Sequence, residues 1–483
     1  MADIHTENYK TAARKGIADR HLQQALSGFQ HRIAPATAQR YLSHPEGPQI
    51  RQMGHTIRMH AVEHLDRLLA GLADRIEARG GRVFFADDGR AAVAYALDVA
   101  KRHSVQRVVK GKSMVTEEIG LNRAMEAAGI EVVETDLGEY ILQLAGEHPS
   151  HIIAPAIHKT REDVGRLFEE KLGIPYTDDP PTLTRAARKA LRRKFLSADM
   201  GVSGCNLACA QSGHITTLSN EGNIRMSTTL PRIHMAFMGM ERVVANLRDH
   251  AVLFRLLSNA AAAQKMAGYI SYIGGPRQSW QQDGPEQFHL VVVDNGRGRI
   301  LGDPEFREIL CCIRCAACLN VCPVYGKIGG HAYGFTYTGP VGAVVTPLLV
   351  GLDRARHLFY GETLCGACKQ ACPVDIDLPR MLLALRRRWA EGRRTDGFAG
   401  SGSAGERLAY AAWAEVMRRP ALYRRVHRAA ALGQALLPQH DGRLTRLPFP
   451  FSGWTRSRDL APLASKGFVE RWGERKGCKR GGS

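Results

Sequence analysis

Apolar residues recur at helical spacing from residue 49 to residue 79, and the pair Gly80-Gly81 then ends the pattern. Short runs of branched and aromatic residues follow, and they alternate with further stretches of helical period. Strands that alternate with helices at this spacing are typical of a parallel α/β sheet. We therefore predict an α/β domain over residues 49–300, preceded by a loosely attached N-terminal arm over residues 1–48.

The same pattern predicts the individual elements of this domain. The predicted helices cover residues 49–79, 90–104, 117–128, 161–172 and 182–200, and the predicted strands cover residues 82–86, 107–110, 130–134, 150–154 and 288–293. Residues 205–218 predict a β-hairpin with Gly213 at its turn, and the Asn/Gly-rich residues 220–223 predict a second hairpin.

The pattern changes after residue 300. Residues 301–396 combine short helical stretches with loops rich in glycine and proline, so we predict a small α-helical domain there. The Gly/Ser-rich residues 397–405 predict a linker. An Arg-rich helical segment, a proline-rich extended tail and a basic terminus complete the C-terminal region, residues 397–483.

The composition is that of a globular protein, with 44% hydrophobic and 23% charged residues in a chain of 483. No run of eighteen apolar residues predicts a membrane span, and the polar N-terminal stretch lacks the apolar core of a signal peptide. We therefore expect a cytoplasmic protein. In that reducing compartment closely spaced cysteines are metal ligands or catalysts more often than disulfides.

The net charge of +19 is concentrated, since residues 380–428 hold twelve arginines and only four acidic residues. We interpret this window as a solvated helical face. Compensation of anionic clusters and docking to an acidic subunit are the functional alternatives. No nucleic-acid-binding motif accompanies the charge, so we expect no nucleic-acid partner.

The most informative motif is formed by Cys312, Cys315, Cys318 and Cys322, which is followed by Pro323. This C-x2-C-x2-C-x3-C-P run is the one that bacterial ferredoxins use for iron–sulfur clusters. Two-residue spacers let the backbone curl around one cluster, and the fourth cysteine reaches a second cluster. A zinc site is disfavoured, because zinc typically takes four ligands from two separated C-x2-C pairs.

A second run, with cysteines at 365, 368 and 372 and then Pro373, repeats the closing half of the first. The crossover rule assigns four cysteines to cluster 1, namely Cys312, Cys315, Cys318 and Cys372. It assigns three to cluster 2, namely Cys322, Cys365 and Cys368. We predict two clusters, both [4Fe–4S] if cluster 2 finds a fourth ligand.

Position 362, where the complete second motif would have cysteine, holds Glu362. Three possibilities stay open: a [3Fe–4S] cluster, a non-cysteine ligand such as Glu362, or a thiolate from elsewhere in the chain. The spare sulfurs are Cys311, Cys205 and Cys209, and we interpret the last two as small buried hydrophobic residues.

Two further segments carry weaker signals. Lys110, Lys112 and Ser113 follow a predicted strand and precede a predicted helix, a place where α/β domains can hold anions. We favour a plain helix cap there, and the missing dinucleotide fingerprint gives no support for a dinucleotide site. The glycine-rich residues 326–331 have two interpretations: a simple loop, or a segment whose backbone N–H groups bond cluster sulfurs.

Taken together, these motifs resemble the lactate-utilisation protein B family, the iron–sulfur subunits of a bacterial three-subunit system that oxidises L-lactate. The resemblance covers nearly the whole chain and rests on residues 109–118, 134–140, 155–161, 220–223, 312–325, 329–333, 365–368 and 453–459. It implies a first domain with the fold of sugar-phosphate isomerases and CoA transferases, followed by a ferredoxin-like two-cluster domain. The family's seven cluster cysteines fall on the seven named above, and the family also shows three cysteines for its second cluster.

The resemblance further implies a role in relaying electrons while L-lactate is oxidised to pyruvate, in support of growth on lactate. It implies two other lactate-utilisation subunits and a downstream electron acceptor as partners. The chain carries no flavin or nicotinamide fingerprint, so we expect an electron-transfer subunit and no catalytic residue of its own. The alternative is a self-sufficient iron–sulfur oxidoreductase that acts on a small hydroxy acid.

Overall fold

The computed structural model describes residues 4–43, 47, 49–392, 394–395, 398–399, 404–449 and 451–480. The chain divides into two compact units, Met1–Ser401 and Gly402–Ser483. None of the helices in these described ranges combines the length and the apolar character needed to cross a membrane.

The first unit is built around a parallel sheet and a smaller second sheet. Their strands are β1 (Arg82–Ala86), β2 (Arg107–Lys110), β3 (Glu131–Glu134), β4 (Met200–Gly204), β5 (Leu207–Cys209), β6 (His214–Ser219), β7 (Ile233–Gly239), β8 (Val243–Val244), β9 (Tyr269–Ile273) and β10 (Gln287–Val293). The parallel sheet has the order β1-β10-β7-β4-β2-β3, and the second sheet has the order β8-β5-β6-β9.

Helices cover both faces of the parallel sheet and continue into the cysteine-rich region. Those of the first half are α1 (Tyr9–Ala18), α2 (Arg20–Leu42), α3 (Gln49–Glu63), α4 (Leu65–Glu77), α5 (Gly89–Arg102), α6 (Met114–Ile119), α7 (Leu121–Ala127), α8 (Leu137–Ala145), α9 (Arg161–Leu172), α10 (Pro180–Leu196), α11 (Asn223–Thr229) and α12 (Leu247–Ala262). The later ones are α13 (Arg297–Leu301), α14 (Ala317–Asn320), α15 (Tyr325–Ile328), α16 (Gly339–Val350), α17 (Leu352–Gly361), α18 (Ala367–Ala371) and α19 (Leu378–Glu391). A short antiparallel pair, β11 (Arg394–Thr395) and β12 (Phe398–Ala399), lies near the end of this unit.

The second unit contains α20 (Ala404–Arg418), α21 (Pro420–Gly433) and α22 (Phe468–Arg480), with the short pair β13 (Gln439–His440) and β14 (Arg443–Leu444). The Arg-rich helical segment expected from the sequence is therefore present as α20 and α21. Most of the predicted linker lies outside the described residues.

The parallel α/β sheet predicted from the hydrophobic pattern is confirmed, and four of its predicted strands appear close to their expected bounds. The fifth prediction, residues 150–154, is wrong. Ser150 instead closes a loop by donating its backbone N–H to the carbonyl of Pro155 at 3.0 Å, and its own carbonyl accepts from the Tyr325 hydroxyl at 2.9 Å. Two strands of the parallel sheet, β4 and β7, were not predicted, and neither were β8 and β9 of the second sheet.

The hairpin with Gly213 at its turn is confirmed as the antiparallel pair β5–β6. The second predicted hairpin is wrong, because Gly222 adopts a left-handed φ of 74° and begins α11. Strand β6 finds its other partner in β9, about fifty residues further along the chain.

The prediction of a loosely attached N-terminal arm is also wrong. Helices α1 and α2 pack on the cysteine-rich region, where Leu26 is completely buried. Gln30 donates from Nε2 to the carbonyls of Leu319 at 3.0 Å and Cys322 at 3.2 Å. The hydrophobic pattern did not predict this packing of α1 and α2, because α2 has few large apolar residues and contains Pro35.

Candidate metal centres

The first cysteine run curls tightly, as its two-residue spacers predict. Cys312 follows a 3₁₀ helix (Arg307–Cys311), and Arg314 and Ala316 then adopt left-handed φ values of 58° and 62°. This conformation is unfavourable for residues with a Cβ and persists where the surrounding structure requires it. The backbone N–H of Arg314 donates to Sγ of Cys312 at 3.4 Å, as peptide groups do around cluster sulfurs.

The second run repeats this backbone conformation at equivalent positions. Leu364 and Gly366, which flank Cys365, have φ values of 58° and 86°. Cys368 lies on α18, and Cys372 follows that helix and accepts from the backbone N–H of Ile376 at 3.4 Å. Glu362 therefore holds, in the second run, the place that Cys312 holds in the first.

The first group of thiols consists of Cys312, Cys315, Cys318 and Cys372. Burial raises the pKa of Cys315 strongly, and the neighbouring Cys372 and Cys312 raise it further. Burial also raises the pKa of Cys318, and Cys312 and Cys315 raise it further; burial raises the pKa of Cys372 to about 12. The fold thus brings together the four cysteines that the crossover rule assigns to cluster 1.

The second group consists of Cys322, Cys365 and Cys368, with Glu362 among them. Burial and then Glu362 raise the pKa of Cys322, and the same two causes raise that of Cys368 to about 11. The thiol of Cys322 donates to Oε2 of Glu362 at 3.5 Å, and the backbone N–H of Tyr325 donates to Sγ of Cys322 at 3.4 Å. Cys365 is the exposed member of this group.

The three spare sulfurs are all buried outside the two groups. Cys311 is fully buried, with its Sγ 3.3 Å from Sδ of Met59. Cys205 packs in the core between α4 and the two sheets, and Cys209 is buried on β5. These positions agree with the interpretation of Cys205 and Cys209 as small buried hydrophobic residues.

The donor sets fit iron–sulfur clusters in their chemistry. Soft thiolates select such clusters, and both groups combine thiols with backbone N–H donors in a largely buried setting. Within the described residues no group of three or more His, Cys, Asp or Glu side chains is arranged around a single metal ion. The fit therefore rests on the donor chemistry and on the repeated backbone curl.

The glycine-rich residues 326–331 serve packing. The N–H that reaches Sγ of Cys322 belongs to Tyr325, whereas the N–H of Gly326 bonds the Cys322 carbonyl at 3.0 Å. At Gly330 a Cβ would lie 1.6 Å from the carbonyl oxygen of Ser150. Glycine is needed there because the backbone of the α/β region passes against this loop.

A cavity of about 300 Å³ lies at the carboxyl ends of β2, β4 and β7. Arg314, from the first cysteine run, and Arg242, which follows β7, both line it. Ser113 also lines it and caps α6 by accepting from the N–H of Thr116 at 3.4 Å, which confirms the helix-cap interpretation. Neither Arg242 nor Arg314 was predicted from the sequence. The one signal there was that Arg314 lies in the two-residue spacer between Cys312 and Cys315.

Comparison with known proteins agrees with this architecture. Residues 69–293 match the LUD domain family, residues 308–376 match the 4Fe-4S dicluster domain, and residues 385–477 match the family described as lactate utilisation protein B, C-terminal. A DUF162 family protein of known structure from Deinococcus radiodurans gives a TM-score of 0.27 at 15% identity, covering 47% of this chain and 98% of that one.

Three relatives are similar over almost their whole length, and each is called lactate utilization protein B. The protein of Oceanobacillus iheyensis is 44% identical, covering 99% of this chain and 98% of the relative. The protein of Bacillus licheniformis is 42% identical with the same coverage. That of Bacillus subtilis is 41% identical, covering 97% of this chain and 96% of the relative.

Proposed function

Because this chain belongs to the lactate utilization protein B family, we propose that it is the iron–sulfur electron-transfer subunit of a complex that oxidises L-lactate to pyruvate. The observation that carries the proposal is the division of seven cysteines into two adjoining groups, of which all but the exposed Cys365 belong to one hydrophobic core or pack against it. Cys368 of the second group lies near enough to raise the pKa of Cys318 in the first. Two clusters held there would be neighbours.

We assign the ligands as follows. Cluster 1 takes Cys312, Cys315, Cys318 and Cys372, and cluster 2 takes Cys322, Cys365 and Cys368. When bound, each cluster would accept and donate single electrons. The chain's own contribution is to hold the sulfurs, to donate backbone N–H groups to them, and to bury most of both groups.

One cysteine, Cys365 of the second group, suggests a direction for the relay, because it alone of the seven is exposed at the surface. Two cysteines of each group are buried, namely Cys315, Cys372, Cys322 and Cys368, and Cys312 and Cys318 are intermediate. The second group is therefore the one that a partner can approach. We place the exchange of electrons with another lactate-utilisation subunit, or with a downstream acceptor in the cytoplasm, at this end.

The test is anaerobic purification of the tagged chain from its native cells, with visible absorbance and EPR recorded before and after L-lactate is added. We expect partner subunits to co-purify and lactate to bleach the cluster bands only when they are present. Reduction of the isolated chain by lactate would instead establish the alternative, a self-sufficient oxidoreductase. A chain without iron under strict anaerobiosis would refute the proposal.

A further inference from the structure

We propose that Glu362 is the fourth protein ligand of cluster 2, so that this cluster is bound by three thiolates and one carboxylate. The inference rests on the ligand assignment proposed above and extends it to a residue that the cysteine motifs do not include. Three observations on Glu362 support it: its position in the repeated backbone conformation, its contacts with Cys322 and Tyr333, and its burial.

The backbone repeat places Glu362 where a ligand belongs. Cys312 lies two residues before the left-handed Arg314 and three before Cys315, and Glu362 lies two before the left-handed Leu364 and three before Cys365. The curl that directs Cys312 toward the first group therefore recurs around Glu362.

The contacts place the carboxylate within the second group. One oxygen, Oε2, is 3.5 Å from Sγ of Cys322, and the other, Oε1, accepts from the Tyr333 hydroxyl at 3.0 Å. Arg386 fixes the backbone at this point by donating from Nη2 to the Glu362 carbonyl at 2.7 Å. Oxygen and sulfur are thus held side by side by elements 40 residues apart in the chain.

Burial makes a purely structural role costly. Glu362 is 7% exposed, and in the described residues its carboxylate is paired with a thiol and a phenol, with no cation at hydrogen-bond distance. A buried carboxylate without a cation is unfavourable unless it is protonated or bound to a metal. Cys322 and Glu362 would both bind iron as anions, and the proton that they share would leave for solvent.

The experiment compares anaerobically purified wild type with Glu362→Ala, Glu362→Cys and, as a matched carboxylate control, Glu305→Gln. We expect about eight irons per chain in the wild type and about seven in Glu362→Ala, together with the EPR signal of an oxidised three-iron cluster. Glu362→Cys should keep about eight irons with altered Mössbauer parameters at one iron. Tyr333→Phe, a positioning variant, should keep the cluster and change only its spectrum.

Two results would overturn this assignment. One is a wild type that already contains a three-iron second cluster. The other is a Glu362→Ala protein whose iron content and spectrum match those of the wild type. Complete absence of clusters from the wild type would instead refute the electron-transfer proposal, so the two failures are distinguishable. If Glu362→Ala fails to fold, Glu362→Cys still tests the assignment. Unchanged Mössbauer parameters in that variant would show that residue 362 does not bind the cluster.

A separate observation leads to a second proposal. The side chains of Arg242 and Arg314 are 8% and 9% exposed, and Nη1 of each has no hydrogen-bond partner among the described residues. Both line the cavity of about 300 Å³. Buried donors of this kind nearly always have partners in folded proteins. We infer that the cavity binds a small monocarboxylate through these two guanidinium groups.

The charge of the cavity favours a single negative charge on the ligand. Its lining contains three cations, Lys112, Arg242 and Arg314, and two acids, Asp136 and Glu221. Guanidinium groups recognise carboxylates through paired hydrogen bonds. Behind the lining, Oε1 of the buried Glu241 lies 3.9 Å from Nε of Arg242 and 3.7 Å from Nη2 of Arg314, so both guanidinium groups are already partly neutralised and a singly charged ligand suits them better than a phosphate dianion. Asn206 and Asn223, also in the lining, can bond a hydroxyl or keto oxygen.

Calorimetry on the anaerobic holoprotein tests this site with pyruvate, which cannot reduce the clusters, and with inorganic phosphate as the second arm. We expect pyruvate to bind, and Arg242→Gln and Arg314→Gln to weaken its binding at least tenfold. Arg248→Gln, an exposed control on α12, should bind as the wild type does. Phosphate binding alone, or pyruvate binding that the two variants leave unchanged, would overturn the proposal.

Discussion

Glu118 and Arg297 form a buried ion pair in which Nη1 is 2.9 Å from Oε1 and Nη2 is 2.7 Å from Oε2. The hydroxyl of Tyr337, from the segment before α16, donates to the same carboxylate at 2.5 Å. Burial opposes ionisation of Glu118, but Arg297 holds its pKa below the usual range. Tyr337 therefore ties the cysteine-rich region to an ion pair of the α/β region that is shielded from water.

Removing one partner of this pair should be costly. Glu118→Ala leaves the Arg297 guanidinium without the bidentate pair, and we expect a loss of about 3–5 kcal/mol in unfolding free energy. Asp98→Ala, which removes the exposed pair with Arg102, should cost no more than about 1 kcal/mol. Urea unfolding followed by circular dichroism measures both, and similar losses in the two variants would contradict the expectation.

Gly330→Ala tests the close approach of the two regions. The added Cβ would meet the carbonyl oxygen of Ser150 at 1.6 Å, so backbone must move, and we expect a loss of about 1–3 kcal/mol or more. Gly71→Ala in α4, where the nearest atom is a flexible arginine end at 3.4 Å, should instead stabilise the protein by up to about 1 kcal/mol. Thermal unfolding of both variants gives the comparison. A neutral effect at Gly330 would show that the loop moves freely.

Acid should destabilise the fold through His234. This side chain is fully buried on β7, with Nε2 2.8 Å from Oγ of Ser203, and burial lowers its pKa to about 3. The folded-state pKa lies below the unfolded value of about 6.5, so the stabilising contribution is complete above that value and is lost as pH falls toward 3. Between about pH 7 and pH 5 the loss should be about 2 kcal/mol.

His234→Gln should remove this part of the pH dependence, even if it lowers stability overall. His440→Gln, at an exposed position, should keep the wild-type slope. Urea unfolding at several pH values measures the slopes, and an unchanged slope in His234→Gln would show that this histidine titrates normally.

The division of the thiols can be tested by iron content. Cys315→Ser should lose cluster 1, so that about half of the iron and one of two EPR signals disappear. Cys311→Ala alters a neighbouring buried sulfur that contacts Met59, and it should retain all the iron. Iron assay and EPR of the reduced proteins measure both. Equal loss of iron in the two variants would show that the substitutions act by disturbing the fold and not by removing a cluster ligand.

The sequence determined those features that depend on neighbouring residues. Helix α9 appears at its predicted bounds because Thr160 and Asp163 form a capping box at its start and Gly173 ends it in a left-handed conformation. The cysteine spacings likewise determine their own curl, since two-residue spacers act over a few peptide units. The 4Fe-4S dicluster domain and the parallel α/β sheet were predicted on such local grounds.

Only the tertiary structure decided the features that depend on distant segments. Strand β7 is buried along its whole length between β10 and β4, and its sequence shows no alternation that marks a strand. Cys322 and Glu362 meet across 40 residues, and Arg242, which follows β7, lines the same cavity as Arg314 from the first cysteine run. Packing, and not spacing, brings these side chains together, because each contact depends on the relative placement of whole elements.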